Sequence, residues 1–226
     1  MAQLFVIRHA EKAAAGNAVQ GMHAGLTKKG RKDALSFGRL MKNVLEDREI
    51  TVTYSMLERC RETADIFKIG YGPRAKVVDS GRRGGRLAYL APEMIRMSDK
   101  GGLHCNVVSR TFVSGHMAEF FSRLFLMFES DYAGTTAKWL ADGFNGRLIP
   151  PQLIVNAIDS IARIAKSEMV MMFVSDVQIS AVSVVHGITR FSEKRPDYLT
   201  GLWDPDFPNH DWSPFVQGLK SLSPIK

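Results

Sequence analysis

The run Leu4-Phe5-Val6-Ile7 is apolar without interruption and stops at Arg8-His9. A strand whose successive side chains are all apolar has both faces covered, and such strands belong to parallel sheets flanked by helices. Met169 to Val174 has the same character, and Ile50-Thr51-Val52-Thr53-Tyr54 alternates as a strand. Between these runs the spacing changes to that of helices. Ala34, Leu35, Gly38, Met41 and Leu45 share a face of a segment opening near Thr27. Leu57, Cys60, Ala64 and Phe67 form a second stripe, and Ile154, Ile158, Ile161 and Ala165 a third, after Pro150-Pro151. The alternation predicts an α/β protein: a three-layer sandwich with a largely parallel central sheet flanked by helices.

In open α/β sheets ligands bind beyond the carboxyl ends of the strands, so the residues delivered there matter most. Arg8-His9 follows the first strand. The run Ala181-Val182-Ser183-Val184-Val185 is β-branched and mostly apolar, reads as a further strand, and ends at His186-Gly187. The strand at 50–54 leads into Ser55-Met56-Leu57-Glu58-Arg59, in which Ser55 and Glu58 have capping-box spacing. Arg59 is thereby expected in the first turn of a helix that starts at a strand end, with Arg59 and Thr63 off its apolar stripe.

These residues, in this order, resemble the histidine phosphatase superfamily, also called phosphoglycerate mutase-like. Arg8-His9-Ala10-Glu11 matches its opening motif, Leu26-Thr27-Lys28-Lys29-Gly30 its helix start, Leu57 to Ala64 its Leu-x-Arg-x-x-x-Thr-Ala segment, and Val185-His186-Gly187 its second histidine. The match covers the first seventy or so residues well, whereas much of the region between Lys76 and Val174 matches nothing. The resemblance implies that His9 is a nucleophile toward phosphorus and that Arg8, Arg59 and His186 bind the phosphoryl group, with no metal and no cofactor. A neutral imidazole can attack phosphorus, and planar guanidiniums suit the charge spread over the oxygens in flight. Asn17, in the loop after the first strand, is a candidate phosphate contact or a plain turn residue. Glu11 reads as an ion-pair or helix-start residue.

The general acid is where the sequence departs from the family pattern. Where the mutase branch carries a glutamate, this chain has Gly81-Arg82-Arg83-Gly84-Gly85-Arg86, and Gly187 stands where the acid-phosphatase branch has its acid. Glu93 and Glu119, and less so Asp79, are the remaining candidates. Three outcomes follow: another carboxylate serves, the substrate has a good leaving group, or turnover is lost. The expected activity is a metal-independent phosphatase acting on a phosphate monoester or phosphohistidine through a phosphohistidine on His9. A catalytically impaired phosphate-binding or regulatory domain is the alternative, and a mutase-type phosphotransferase a weaker one.

Length fits a single domain spanning 1–226, with a possible cap insertion around 70–130. The formal charge of +7 suits anionic substrates, small phosphorylated molecules or a phosphoprotein, without deciding among them. The Gly/Arg block at 80–86 lacks interleaved aromatics, which gives a nucleic-acid role little support. Cys60 and Cys105 form no paired framework, no apolar stretch reaches the roughly 18 residues of a membrane span, and no leader pattern opens the chain, so a cytoplasmic, non-membrane protein is expected. A helix is expected over 116–128. His104-Cys105 with His116 lacks metal-ligand spacing. Asp204, Asp206, His210 and Asp211 read as a turn-rich closing segment docked by Trp203, Phe207 and Trp212.

Overall fold

The computed structural model describes residues 2–14, 24–55, 57–78, 96–97, 104–105, 127, 130–146, 151–188, 191 and 194–215. Eight strands and five helices are used below: β1 (Ala2–Arg8), α1 (Lys28–Val44), β2 (Ile50–Tyr54), α2 (Glu58–Tyr71), β3 (Ala75–Val77), β4 (Arg96–Met97), β5 (His104–Cys105), α3 (Tyr132–Gly146), α4 (Pro151–Ala165), β6 (Met169–Val174), α5 (Asp176–Val185), β7 (Gly201–Phe207) and β8 (Ser213–Phe215). The main sheet has the order β3-β2-β6-β1-β7-β8. Its first four strands are mutually parallel, while β7 runs antiparallel to β1 and β8 antiparallel to β7.

The two-residue period of β1 and β6 explains their unbroken apolar runs. Leu4, Val6, Val170, Met172 and Val174 face one layer with Ile154 and Ile158 of α4 and Ile179 and Val182 of α5. Phe5, Ile7, Met169, Met171 and Phe173 face the other, against Ala34, Phe37 and Met41 of α1 and Cys60, Ala64 and Phe67 of α2. This is the expected three-layer α/β sandwich.

α1 starts as expected: Thr27 is its N-cap, with Oγ1 accepting from the Gly30 N–H at 2.8 Å. α1 and α2 then approach closely at two glycines. A Cβ on Gly38 would lie 2.3 Å from the Phe67 carbonyl oxygen, and one on Gly70 2.3 Å from that of Leu35.

Three expectations need correction. The run 181–185 is not a strand but the last half of α5. Its β-branched residues forfeit only about half a kilocalorie per mole each in a helix, and burial of every residue from Asp176 to Ser183 overrides that preference. The start of α2 is not a Ser55–Glu58 capping box. Leu57 is the N-cap, without a side-chain cap, so Arg59 nevertheless falls in the first turn. Arg59 and Thr63 are not off the buried face, being 7% and 0% exposed.

The closing segment divides: Asp204 and Asp206 lie in strand β7, while His210 and Asp211 lie, as expected, in the turn that joins β7 to β8. Pro205 fits within β7 because the register with β1 shifts there, between the pairs Ala2–Phe207 and Leu4–Asp204. Trp203 does dock as expected, stacking on Phe5 with centroids 5.9 Å apart, and Phe207 and Trp212 are buried in the α4–α5 layer. Within the span proposed as a cap, β3 belongs to the main sheet and β4 and β5 form a separate antiparallel pair. The helix expected over 116–128, the Gly/Arg block, Asn17, Asp79, Glu93, Glu119 and His116 lie outside the described residues. Among the described residues no helix is long and apolar enough to cross a membrane.

Candidate active site

At the carboxyl edge of β1, β2 and β6 the chain places its most polar buried cluster. Arg8 ends β1 in register with Val174. His9 follows, and its backbone N–H continues the ladder to the Val174 carbonyl at 2.9 Å. The imidazole is 1% exposed. Its Nδ1 lies 2.7 Å from the Ala10 carbonyl oxygen, and Arg59 Nε approaches Nε2 at 2.9 Å. A carbonyl can only accept and a guanidinium can only donate, so the proton sits on Nδ1 and the lone pair on Nε2. Burial, followed by the charges of Arg59 and Arg8, pushes the imidazolium pKa well below its usual value. His9 is therefore neutral at neutral pH.

Thr63, one turn after Arg59, fixes the loop. Its hydroxyl donates to the Arg59 carbonyl at 2.6 Å and accepts from the Ala10 N–H at 3.1 Å. Glu11, expected to be structural, is so: Oε1 accepts from Thr27 Oγ1 at 2.9 Å, and Lys29 Nζ lies 3.6 Å from Oε2.

The Arg8 guanidinium is held on several sides. Nη1 donates to the Pro196 carbonyl, Nη2 lies 3.3 Å from Asp176 Oδ2, and the Tyr198 ring stacks on it with 4.2 Å from Cζ to the centroid. Its Nε, though buried, has no hydrogen-bond partner, and neither has the buried Ser55 Oγ at the end of β2. Two polar atoms left unpaired beside a buried arginine and histidine are what a site for a multivalent acceptor would show.

His186 is not brought to this edge. The strand whose end lies beside Arg8 is β6, and two residues further on it delivers Asp176. From there the ten residues of α5 carry the chain about 15 Å away, and His186 caps the far end. Its ring packs on His210 and Trp212, with centroids 4.9 and 5.9 Å away. His210 in turn sits between Asp159, 3.4 Å from Nε2, and the fully buried Asp204, 4.0 Å from Nδ1. Among the described residues no group of three or more His, Cys, Asp or Glu side chains is disposed to hold a metal.

Sequence reasoning missed Asp176, Arg195 and Tyr198. Asp176 has a signal, since it lies two residues beyond the strand at 169–174, but the β-branched run at 181–185 reads as a later strand that would deliver the second polar group. Arg195 and Tyr198 had none, being placed by the loop before β7, which is pinned to β1 by the Leu199 N–H donating to the Arg8 carbonyl at 3.1 Å. Arg195 Nε donates to Asp176 Oδ2. Burial alone would raise the Asp176 carboxyl, but Arg8 and the hydrogen-bonded Arg195 hold it well below the usual carboxylate range.

A buried neutral histidine flanked by arginines therefore sits at the carboxyl edge of a mainly parallel sheet, the edge at which α/β proteins bind ligands. Residues 4–80 match the model of the histidine phosphatase superfamily, branch 1. Among solved structures, Bacillus stearothermophilus YhfR is 17% identical with both chains fully covered and a TM-score of 0.55. A phosphoglycerate mutase from Bacillus anthracis is 12% identical over 94% of this chain and 91% of its own, also at 0.55. A mycobacterial glucosyl-3-phosphoglycerate phosphatase, solved with inorganic phosphate, is 12% identical over 96% of each chain, at 0.51. None of the curated proteins compared matches the chain. Over residues 4–80 the chain is thus similar to branch 1 of the histidine phosphatase superfamily, and over nearly its whole length it shares the fold of these solved structures.

Proposed function

We propose that the protein is a metal-independent phosphatase that transfers the phosphoryl group of a monoester or phosphohistidine to His9 Nε2 and then to water. The observation that carries this reading is the tautomer of His9: Nδ1–H is engaged by Ala10, which leaves the lone pair on Nε2 facing Arg59. In the first step Nε2 bonds to phosphorus and the bond from phosphorus to the leaving group breaks. In the second, water attacks, the P–N bond breaks, and inorganic phosphate leaves with His9 neutral again.

Arg59 Nε is the gate to the first step. In the resting site it holds the nucleophilic lone pair; an entering phosphoryl oxygen is a stronger, charged acceptor and draws the donor away, which exposes Nε2. Arg8 and Arg59 then face the charge that spreads over the equatorial oxygens.

Asp176 cannot protonate a leaving oxygen, because its flanking arginines keep it ionised. Of the described residues, then, Asp176 supplies no acid, and to that extent leaving groups that need little protonation, as in an aryl phosphate, an acyl phosphate or a phosphohistidine, suit the site. The superfamily's varied substrates do not choose among them. Mutase activity, which needs a second substrate anchor, has no observation in its favour here.

One observation favours a second reading, that of an impaired phosphate-binding or regulatory domain: a carboxylate, not a second imidazole, stands at the end of β6. Release of inorganic phosphate from an aryl phosphate in the presence of EDTA separates the two. Turnover lost in His9→Ala supports the phosphatase; phosphate binding without turnover in the wild type would establish the second reading.

A further inference from the structure

The Tyr198 ring touches the nucleophile and its arginine together. Its centroid lies 5.8 Å from that of the His9 ring, and the Arg8 guanidinium covers one face, with Cζ 4.2 Å from the centroid. His9, Arg8 and Arg59 are buried, whereas Tyr198 is 36% exposed. Among the described residues that meet His9, solvent therefore reaches the site along this ring. The ring is also held in place by backbone on both sides. Arg8 Nη1 donates to the Pro196 carbonyl, the Leu199 N–H donates to the Arg8 carbonyl at 3.1 Å, and the Arg8 N–H donates to the Thr200 carbonyl at 2.8 Å. Leu199, directly after Tyr198, is kept in the left-handed region at φ 58°, which a leucine adopts only where its surroundings impose it. A half-exposed aromatic ring on a segment this firmly tied loses little freedom when a second ring stacks on it.

Resting on the phosphatase reading above, the geometry points to Tyr198 as the residue that selects the leaving group, a platform for phosphoryl donors whose leaving group is an aromatic ring. Nδ1 of His9 is turned to Ala10, so a donor meets the imidazole at Nε2. In a near-attack geometry phosphorus stands about 3–3.5 Å from the attacking atom, and the leaving group starts one bond beyond it. A group entering from solvent at that range comes within the span of a ring already in contact with the imidazole. Aromatic pairs gain from offset or edge-to-face contact beyond the area they bury, whereas an acyl phosphate brings no ring and gains nothing from Tyr198.

The test is steady-state hydrolysis of 4-nitrophenyl phosphate and of acetyl phosphate by the full chain, with melting curves to confirm folding. Tyr198→Ala is expected to lower kcat/KM for the aryl ester about tenfold more than for acetyl phosphate, chiefly through KM, and Tyr198→Phe to keep the wild-type ratio of the two. The ratio is the readout because a site merely disturbed around Arg8 or His9 slows both substrates alike. An equal loss on both substrates, or no loss on either, reduces Tyr198 to a packing neighbour of Arg8 and overturns the assignment. Should Tyr198→Ala not fold, Tyr198→Leu decides, since it keeps apolar bulk without an aromatic face. A ratio down about threefold or more supports the platform, and an unchanged ratio contradicts it. A wild type that hydrolyses both substrates with a ratio no Tyr198 variant alters sinks the platform alone; a wild type that hydrolyses neither removes the phosphatase reading as well.

Discussion

Arg59 Nε points at His9 Nε2 from 2.9 Å, so a permanent cation donates a hydrogen bond to the lone pair of a buried, neutral imidazole. The contact keeps the proton on Nδ1 and also keeps His9 from charging. Removing the cation should loosen both controls. Arg59→Ala is expected to lower kcat/KM for an aryl phosphate by about a hundredfold or more, the scale of losing one charge-stabilising donor. The pKa of His9 should rise in the same variant, as NMR titration of the imidazole would show; an unchanged titration would contradict the contact.

The direction of the His9 shift also sets a pH dependence. An imidazole whose folded pKa lies well below its unfolded value binds fewer protons in the native state. Native stability should therefore fall as pH drops below about 6.5, while the nucleophile stays neutral and competent there. Asp176 has the depressed carboxylate shift, so its contribution is present above about 3.9 and is lost only as pH falls below that value. Urea midpoints measured from pH 7 down to pH 3 should thus decline in two stages, the first reduced in His9→Gln, with the half-buried His186 supplying part of what remains, and the second reduced in Asp176→Asn.

Thr63 joins the His9 loop to α2 through hydrogen bonds to the Ala10 N–H and the Arg59 carbonyl. Thr63→Val keeps the shape and removes the acceptor, leaving a buried N–H unpaired. A loss of about 1–3 kcal/mol in unfolding free energy is expected. Because the loop carries the nucleophile, kcat should fall more than KM rises. Equal stability of the two proteins would show that the Ala10 N–H finds another partner.

His186→Ala is expected to leave kcat/KM within about twofold, since α5 holds that residue roughly 15 Å from Asp176. A loss of a hundredfold would show that His186 does reach the substrate. This is where the sequence was hardest to read. Val182, Val184 and Val185 carry the composition of a strand, and the helix they end is set by burial of every residue from Asp176 to Ser183, which has no sequence period. By contrast β1 and β6 were legible because a strand covered on both faces has to be apolar throughout, and β2 because its residues alternate with the two-residue period of a strand. Arg8, His9 and Arg59 could be placed because each lies at or just beyond such a strand. Arg195 and Tyr198 reach the site through a loop whose course depends on the pairing of β7 with β1, a long-range relation that local pattern does not carry.

Gly38 and Gly70 let α1 and α2 approach to backbone contact. Gly38→Ala or Gly70→Ala would press a methyl group into a carbonyl of the partner helix and should cost about 1–3 kcal/mol. Gly70 lies at the far end of α2 from Arg59 and Gly38 of α1 packs against that same end, so activity per folded molecule should be retained at low temperature. A thermal scan together with a turnover assay would separate the two effects.

The central claim is that His9 Nε2 carries the phosphoryl group. Rapid quench of the protein with an excess of aryl phosphate, followed by peptide mapping under alkaline conditions that preserve phosphohistidine, tests it most directly. Expected is one phosphorylated peptide, containing His9, that forms within a turnover, is lost on acid treatment, and is absent from His9→Ala. Turnover without a phosphorylated His9, or the label on another residue, would contradict it.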